Sequence, residues 1–195
     1  MRQNQPSLPN PDLEPLVIRP VTGADLTALE WDGEFTKYRR MYERLYQDSL
    51  AGRTLMWMIA SPEGEMIGQA FVMLVSSERD AADGILRAYI FAFRVKPAWR
   101  DLGVGTKLMG FIEDDLLRRG FRFVTLNVAK DNPGARRLYE RLGYKVTGSK
   151  SGIWSYKDDQ GVTQHVNEPA WRMMKRLKDG DEGMENRGLG SRRLA

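Results

Sequence analysis

Two hydrophobic periods alternate along the chain, and each change of period marks an element. Leu16-Val17-Ile18-Arg19 is a short apolar run that reads as a strand. Thr22-Gly23 leads into a short helix through Asp25, Leu26 and Leu29. A second helix is expected over 34–50, where Tyr38, Met41, Tyr42, Leu45 and Tyr46 recur at helical spacing. Thr54–Ala60 and 65–75 flank the turn cluster Ser61-Pro62-Glu63-Gly64 and predict a hairpin. Residues 76–84 form a polar loop. The stretch 85–96 predicts a long strand whose middle, 88–93, is apolar on both faces, as in a strand central to a sheet.

The second half is more regular. After glycines 103 and 105, Val104, Leu108, Ile112 and Leu116 line one face of a helix that Gly120 stops. Residues 121–128 read as a buried strand. Asn132-Pro133 opens a helix as N-cap and first helical residue, Ala135, Leu138, Tyr139 and Leu142 form its inner stripe, and Gly143 ends it. Two more strands are expected over 144–156 and 168–177, with the turn Asp158-Asp159-Gln160-Gly161 between them. The order β-α-α-β-β-β-α-β-α-β-β predicts an α/β sandwich, a mixed central sheet flanked by helices, with one βαβ unit in the middle. Residues 1–14, polar and proline-bearing, read as a flexible N-terminal arm, 15–177 as one domain, and the Gly-rich, charged 178–195 as a disordered tail.

Composition narrows the chemistry. The 195 residues suit a single domain, and the 42% apolar fraction is ordinary for a globular protein. No apolar run reaches the ~18–20 residues of a membrane helix, and the N-terminus lacks the apolar stretch of a secretory signal, so a cytoplasmic enzyme is expected. There is no cysteine and a single histidine, His165, in a polar stretch where exposure is expected. Disulfide scaffolds, thiolate metal sites and cysteine nucleophiles are excluded, no G-x-S-x-G elbow is present, and no metal is expected. Any transfer reaction should therefore pass directly between two bound substrates. The net charge of +4 suits nucleic acid or a polyphosphate ligand alike, and no recognition-helix pattern favours nucleic acid.

One segment bears directly on a polyphosphate. Val95-Lys96-Pro97-Ala98-Trp99-Arg100-Asp101-Leu102-Gly103-Val104-Gly105-Thr106 joins the central strand to its helix. Its glycines let backbone N–H groups converge at a helix N-terminus, which favours anions, and Arg100 can add a charged contact. The spacing lacks the third glycine of a dinucleotide fingerprint and the G-K-[ST] of a P-loop. A tight strand-to-helix turn without a ligand fits the same residues.

Arg100-Asp101-Leu102-Gly103-Val104-Gly105 resembles the R/Q-x-x-G-x-G/A turn of GNAT acyltransferases, after a matching Val95-Lys96-Pro97. Residues 132–144, from Asn132-Pro133-Gly134-Ala135 to Leu138-Tyr139 and Gly143-Tyr144, resemble that family's N-x-x-A-x-x-L-Y-x-x-x-G-F/Y block. The resemblance implies a GNAT fold over about 15–177 and an N-acetyltransferase using acetyl-CoA and an amine acceptor. It implies that backbone around Phe93 and Val95 pairs with the pantetheine arm. The turn of Arg100, Asp101, Leu102, Gly103, Val104, Gly105 and Thr106 would hold the pyrophosphate, with Asn132 and Tyr139 at the thioester end. A homodimer is compatible with the reading.

Acyl transfer to an amine needs a base for the amine, stabilisation of the oxyanion and a proton for the leaving thiolate. The resemblance makes Tyr139 the proton donor; on periodicity alone it is a core tyrosine. Many relatives place a glutamate on the central strand where this chain has Tyr89, so a base would come from elsewhere, unless a water relay or an already neutral amine makes one unnecessary. Glu30, Asp32 and Glu34, between the first two helices where the family receives its acceptor, are the candidates, with Asp83 a further one; solvated surface carboxylates are the alternative. Trp31, Tyr38, Tyr42, Trp57 and Trp154 form either an aromatic wall for the acceptor or ordinary core. The missing glutamate also admits a second reading, a non-catalytic acyl-CoA-binding regulatory module of the same fold.

Overall fold

A computed structural model describes residues 16–178, so the N-terminal arm and the tail from 179 onward lie outside the described residues. Nine strands and three α-helices follow one another along the chain: β1 Val17–Pro20, α1 Arg39–Leu50, β2 Thr54–Ala60, β3 Met66–Met73 and β4 Arg87–Val95. Then come α2 Val104–Arg118, β5 Phe123–Ala129, α3 Pro133–Arg141, β6 Lys145–Lys150, β7 Ile153–Lys157, β8 Thr163–Asn167 and β9 Ala170–Arg176. Seven strands form one mixed sheet in the order β1-β2-β3-β4-β5-β9-β6, in which only β4 and β5 run parallel. A parallel neighbour requires a crossover, and α2 supplies it.

Helix α2 buries Val104, Leu108, Ile112 and Leu116 against Ala88, Ile90, Val124, Leu126 and Met173 on one face of the sheet. The other face packs Tyr42 and Leu45 of α1 with Leu29, Met56, Met58 and Phe71. This two-sided burial explains the continuous apolar run in β4.

Two expectations change. The first helix is replaced by short 3-10 turns at Gly23–Asp25, Ala28–Glu30 and Thr36–Tyr38, and α1 begins only at Arg39. Trp31, Asp32 and Gly33 have left-handed backbones (φ 49°, 56° and 103°), which reverse the chain where a helix would continue. The strand expected over 144–156 breaks at Gly152, and the residues 153–167 form a separate ribbon, β7 with β8. Gly152 has φ 67°, and a Cβ there would lie 1.7 Å from the Glu168 carbonyl oxygen. Only glycine permits that approach, which closes through Glu168 N–H donating to the Gly152 carbonyl at 3.0 Å. The ribbon returns over α1: the Tyr156 ring lies 4.8 Å from that of Tyr38, and Arg40 Nε donates to the Asp159 carbonyl.

Candidate active site

The sheet comes apart between β4 and β5. Strands β4 and β5 are paired only from Arg87 with Phe123 to Ile90 with Leu126. Past that point β4 stays with β3 as far as Val95, and β5 stays with β9 as far as Ala129. Such a fork leaves backbone groups on both inner edges without strand partners, and an extended polar chain can pair with them.

A bulge in β4 shapes one side of the fork. Gln69 pairs with Arg94 and Phe71 with Phe91, so two steps on β3 oppose three on β4, and Ala92 takes a left-handed conformation, φ 49°. The bulge inverts the strand's alternation. Ala88 and Ile90 face α2 before it, and Phe93 and Val95 do so after it. Phe93 is thereby aimed at the start of α2 and at α3, with its ring 6.1 Å from that of Tyr139. Arg94 goes to the opposite face, donating to the Tyr42 hydroxyl and lying 4.1 Å from the Phe35 ring.

The glycine-bearing turn after β4 leads directly into the start of α2. Pro97–Trp99 make a 3-10 turn, Asp101 (φ 60°) and Gly103 (φ 85°) are left-handed, and Gly103 caps α2. Val104, Gly105 and Thr106 therefore present the unpaired amides of a helix's first turn at its positive end. Leu102 packs inward on the core while Arg100, Asp101 and Thr106 are exposed. Arg100 Nε donates to the Val95 carbonyl at 3.0 Å, which fixes the arm and leaves its terminal nitrogens without partners among the described residues. Gly105 is explained by packing: a Cβ there would sit 3.1 Å from Phe93 Cζ and 3.7 Å from Leu138 Cδ2. A substitution at Gly105 thus tests the Phe93 contact rather than an open phosphate cradle.

Tyr139 is buried, beside Phe93 and Tyr144, and its hydroxyl has no hydrogen-bond partner among the described residues. Burial, with a smaller contribution from Tyr89, pushes its phenol well above the ordinary tyrosine range. Asn132 is exposed, and its Oδ1 accepts the Ala135 N–H at 2.9 Å, an N-cap that fully accounts for it.

The three acidic candidates are not brought into one pocket. Glu30 is buried and held by Arg39, whose Nε and Nη2 donate to it at 2.7 and 2.8 Å, and by Thr36 Oγ1 at 2.7 Å. Those bonds, Arg39 foremost, hold its carboxyl below the usual range, the opposite of what a base for an amine needs. Asp32 and Glu34 are exposed, and their side chains make no hydrogen bond among the described residues. Asp83 accepts the backbone N–H groups of Ile85, Leu86 and Arg87 and closes its own loop. Trp31 donates to buried Gln69 at 3.2 Å, and Tyr38, Tyr42 and Trp154 stack into one aromatic cluster. Trp57 packs instead with Phe111 on the other face. His165 is exposed on β8.

Sequence reasoning missed Asn127 and Arg172, on β5 and β9 beside the fork. Arg172 Nε donates to Asn127 Oδ1 at 2.7 Å. A signal existed: each is a polar residue inside an otherwise apolar strand, Phe-Val-Thr-Leu-Asn-Val-Ala and Ala-Trp-Arg-Met-Met.

A sequence profile of the acetyltransferase (GNAT) family matches residues 24–144 of the chain. The chain belongs to that family. Among curated proteins it is 25% identical over 146 residues to the N-terminal acetyltransferase A complex catalytic subunit ard1 of Schizosaccharomyces pombe, covering 73% of this chain and 80% of that one. The crystal structure of the ribosomal-protein-S18-alanine N-acetyltransferase from Escherichia coli superposes with a TM-score of 0.62 at 20% identity, covering 87% of this chain and 98% of that one. The spermidine/spermine N-acetyltransferase SpeG from Vibrio cholerae superposes equally well, with a TM-score of 0.62, 15% identity and coverage of 83% and 92%. At these identities the structural likenesses establish the fold and leave the acceptor open. In this GNAT chain no helix among the described residues is long and apolar enough to cross a membrane.

Proposed function

We propose that this GNAT protein is an N-acetyltransferase that moves an acetyl group directly from acetyl-CoA to a primary amine. The observation that carries the reading is the fork between β4 and β5, which ends at the amide-lined start of α2. An elongated ligand with a polyphosphate at one end and an amide-bearing arm at the other fits that combination. In this reading the inner edge of β4 at Phe93 and Val95 pairs with the arm. The amides of Val104, Gly105 and Thr106, with the free terminal nitrogens of Arg100, hold the phosphates.

Bound acetyl-CoA supplies a thioester, whose C–S bond is exchanged for a C–N bond to the amine. The chain's own residues supply position and protons. With no cysteine, and with His165 exposed on the outlying ribbon, a protein-bound acyl group is not part of the reading. Tyr139 is protonated at neutral pH because burial raises its pKa, and its hydroxyl is free to donate to sulfur. A simple alkyl thiol ionises near ~8.5, below a buried phenol, so full proton transfer is uphill. Tyr139 therefore acts chiefly as a hydrogen-bond donor to the developing thiolate.

The test is a screen of amines with acetyl-CoA, read as free thiol, alongside calorimetry with CoA. CoA binding together with amine-dependent thiol release is the expected result. CoA binding without release for any amine would replace the enzyme by a non-catalytic acyl-CoA-binding module, and absence of CoA binding would remove both.

A further inference from the structure

On the sheet face opposite α2, the fork opens beside polar groups that the transfer chemistry above leaves unused. Asn127 is the first residue of β5 past its last pair with β4, and Arg172 is its partner on β9. Arg172 is 6% exposed, and its Nε donates to the Asn127 side chain. A guanidinium has donors only, so the Asn127 atom it meets is the amide oxygen, and the NH2 group is turned away from it. One N–H of that group donates to the Tyr89 hydroxyl, which burial keeps protonated, so the second N–H and the tyrosine's own O–H remain to be used. The fork therefore presents fixed hydrogen-bond donors.

The carboxylates bonded beside Asn127 and Arg172 are already matched by cations. Arg172 also donates to the Asp80 carbonyl at 3.1 Å and to the carboxylates of Asp80 and Glu78 at 3.4 and 3.3 Å. Lys150 Nζ lies 3.0 Å from Glu78 and 3.2 Å from Asp80. Two carboxylates are thus matched by two cations, and the pairs clamp the loop 76–84 beside the fork. Glu30 is matched by Arg39 in the same way. A polyamine carries only N–H donors and needs unmatched carboxylates at its distal nitrogens. An amine with an oxygen acceptor close by needs the opposite, a donor near the reacting nitrogen.

Building on the acetyltransferase reading, we propose that the acceptor is an α-amino group beside a carbonyl or carboxylate oxygen, as in a peptide N-terminus or an amino acid. The Asn127 NH2 group binds that oxygen while the amine enters the fork. Arg172 is a positioning residue: it fixes which way the Asn127 amide points and holds the loop 76–84 in place.

The experiment compares acetyl transfer by the full chain to tripeptides of the form X-Ala-Ala with every first residue, to the free amino acids, and to spermidine and spermine. The peptide and amino-acid arms separate the two sources of the same chemistry. Asn127→Asp keeps an acceptor for Arg172 and the same shape while removing the donor. It should raise the KM of the best α-amino acceptor about tenfold or more, the scale of one hydrogen bond at ~1.4 kcal/mol per decade, with CoA affinity unchanged. Arg172→Lys cannot reproduce the Nε contact and should raise the same KM more than it lowers kcat, a split that simple destabilisation would not give. Preferential acetylation of spermidine or spermine by the wild type would overturn the inference, as would an unchanged acceptor KM in folded Asn127→Asp. A wild type that binds CoA and acetylates none of these probes would overturn this inference, while the acetyltransferase reading would fall only if the wider amine screen also gave no thiol release.

Discussion

Replacing Tyr139 by phenylalanine removes one oxygen atom from the centre of the site and nothing else. The consequences for stability and for rate can be read separately. The Tyr139 hydroxyl has no partner among the described residues, although the side chain is only 6% exposed. The oxygen is not among the buried atoms left without a partner, so water can reach it, and its removal should leave the melting temperature close to that of the wild type. Its ring contacts with Phe93 and Tyr144 remain.

The rate should fall. A hydrogen bond to a charged group contributes ~1.5–3 kcal/mol, which at ~1.4 kcal/mol per decade is a loss of roughly 10- to 150-fold in kcat. The larger factors of full general acid catalysis, up to ~10⁴, need a donor whose pKa is matched to its task, and burial has moved this phenol away from the thiol rather than toward it. The assay is steady-state thiol release at saturating acetyl-CoA, with a melting curve and CoA calorimetry on the same sample. A kcat within twofold of wild type would mean that the tyrosine only packs. A melting temperature lowered by many degrees would mean that its hydroxyl has a structural partner, and the reasoning from water access would fall.

Glu30→Gln keeps the bond to Thr36 but loses the charge opposite Arg39, and because Arg39 is exposed to solvent the variant should be only modestly less stable than the wild type. Its carboxyl is depressed in the folded state, so this contribution is complete above the unfolded value near ~4.3 and fades as pH falls through the folded pKa. Denaturant melts of both proteins across pH should show that gap closing in acid, while kcat stays near wild type if Glu30 is not the base. Gly152→Ala places a Cβ against the Glu168 carbonyl, so the β7–β8 ribbon should shift off α1, seen as increased hydrogen exchange over 153–167 with the main sheet intact.

Much of the fold was legible because it rests on local signals. The periodicity of Val104, Leu108, Ile112 and Leu116 and the Asn132-Pro133 cap correspond to real elements, α2 and α3, within a residue or two of the expected bounds. The first helix and the ribbon were not legible, for one reason in both cases. Trp31 is left-handed although no local preference favours it, held by its bond to Gln69 and the packing around Leu29, and it stands just before the turn-forming Asp32-Gly33. The break at Gly152 depends on a backbone atom of Glu168, sixteen residues downstream, so the position reads as one more glycine until the approach is seen. Local propensity gives way where contacts between distant segments decide the backbone.

The same division runs through the candidate site. The cofactor side is built from contiguous stretches, 95–106 and 132–144, in which each residue's task follows from its place beside a turn or on a helix stripe. The proposed acceptor side is assembled from Tyr89, Asn127 and Arg172 on three strands, with the loop 76–84 behind them. Proximity in sequence picked out Glu30, Asp32 and Glu34, which look like one acidic cluster because they alternate along five residues. The fold disperses them: one is paired inside the protein and two are exposed. Three carboxylates close in sequence share a pocket only if the backbone turns them together, and here the left-handed turn at 31–33 carries the chain from Glu30, clamped to Arg39, out to Asp32 and Glu34. Polar residues inside apolar strands are the stronger guide to an acceptor site in a forked sheet. A strand interior tolerates an asparagine or arginine only if its hydrogen bonds are met, so each such residue implies a partner across the sheet. Asn127 finds its partner in Arg172, at the place where the sheet divides.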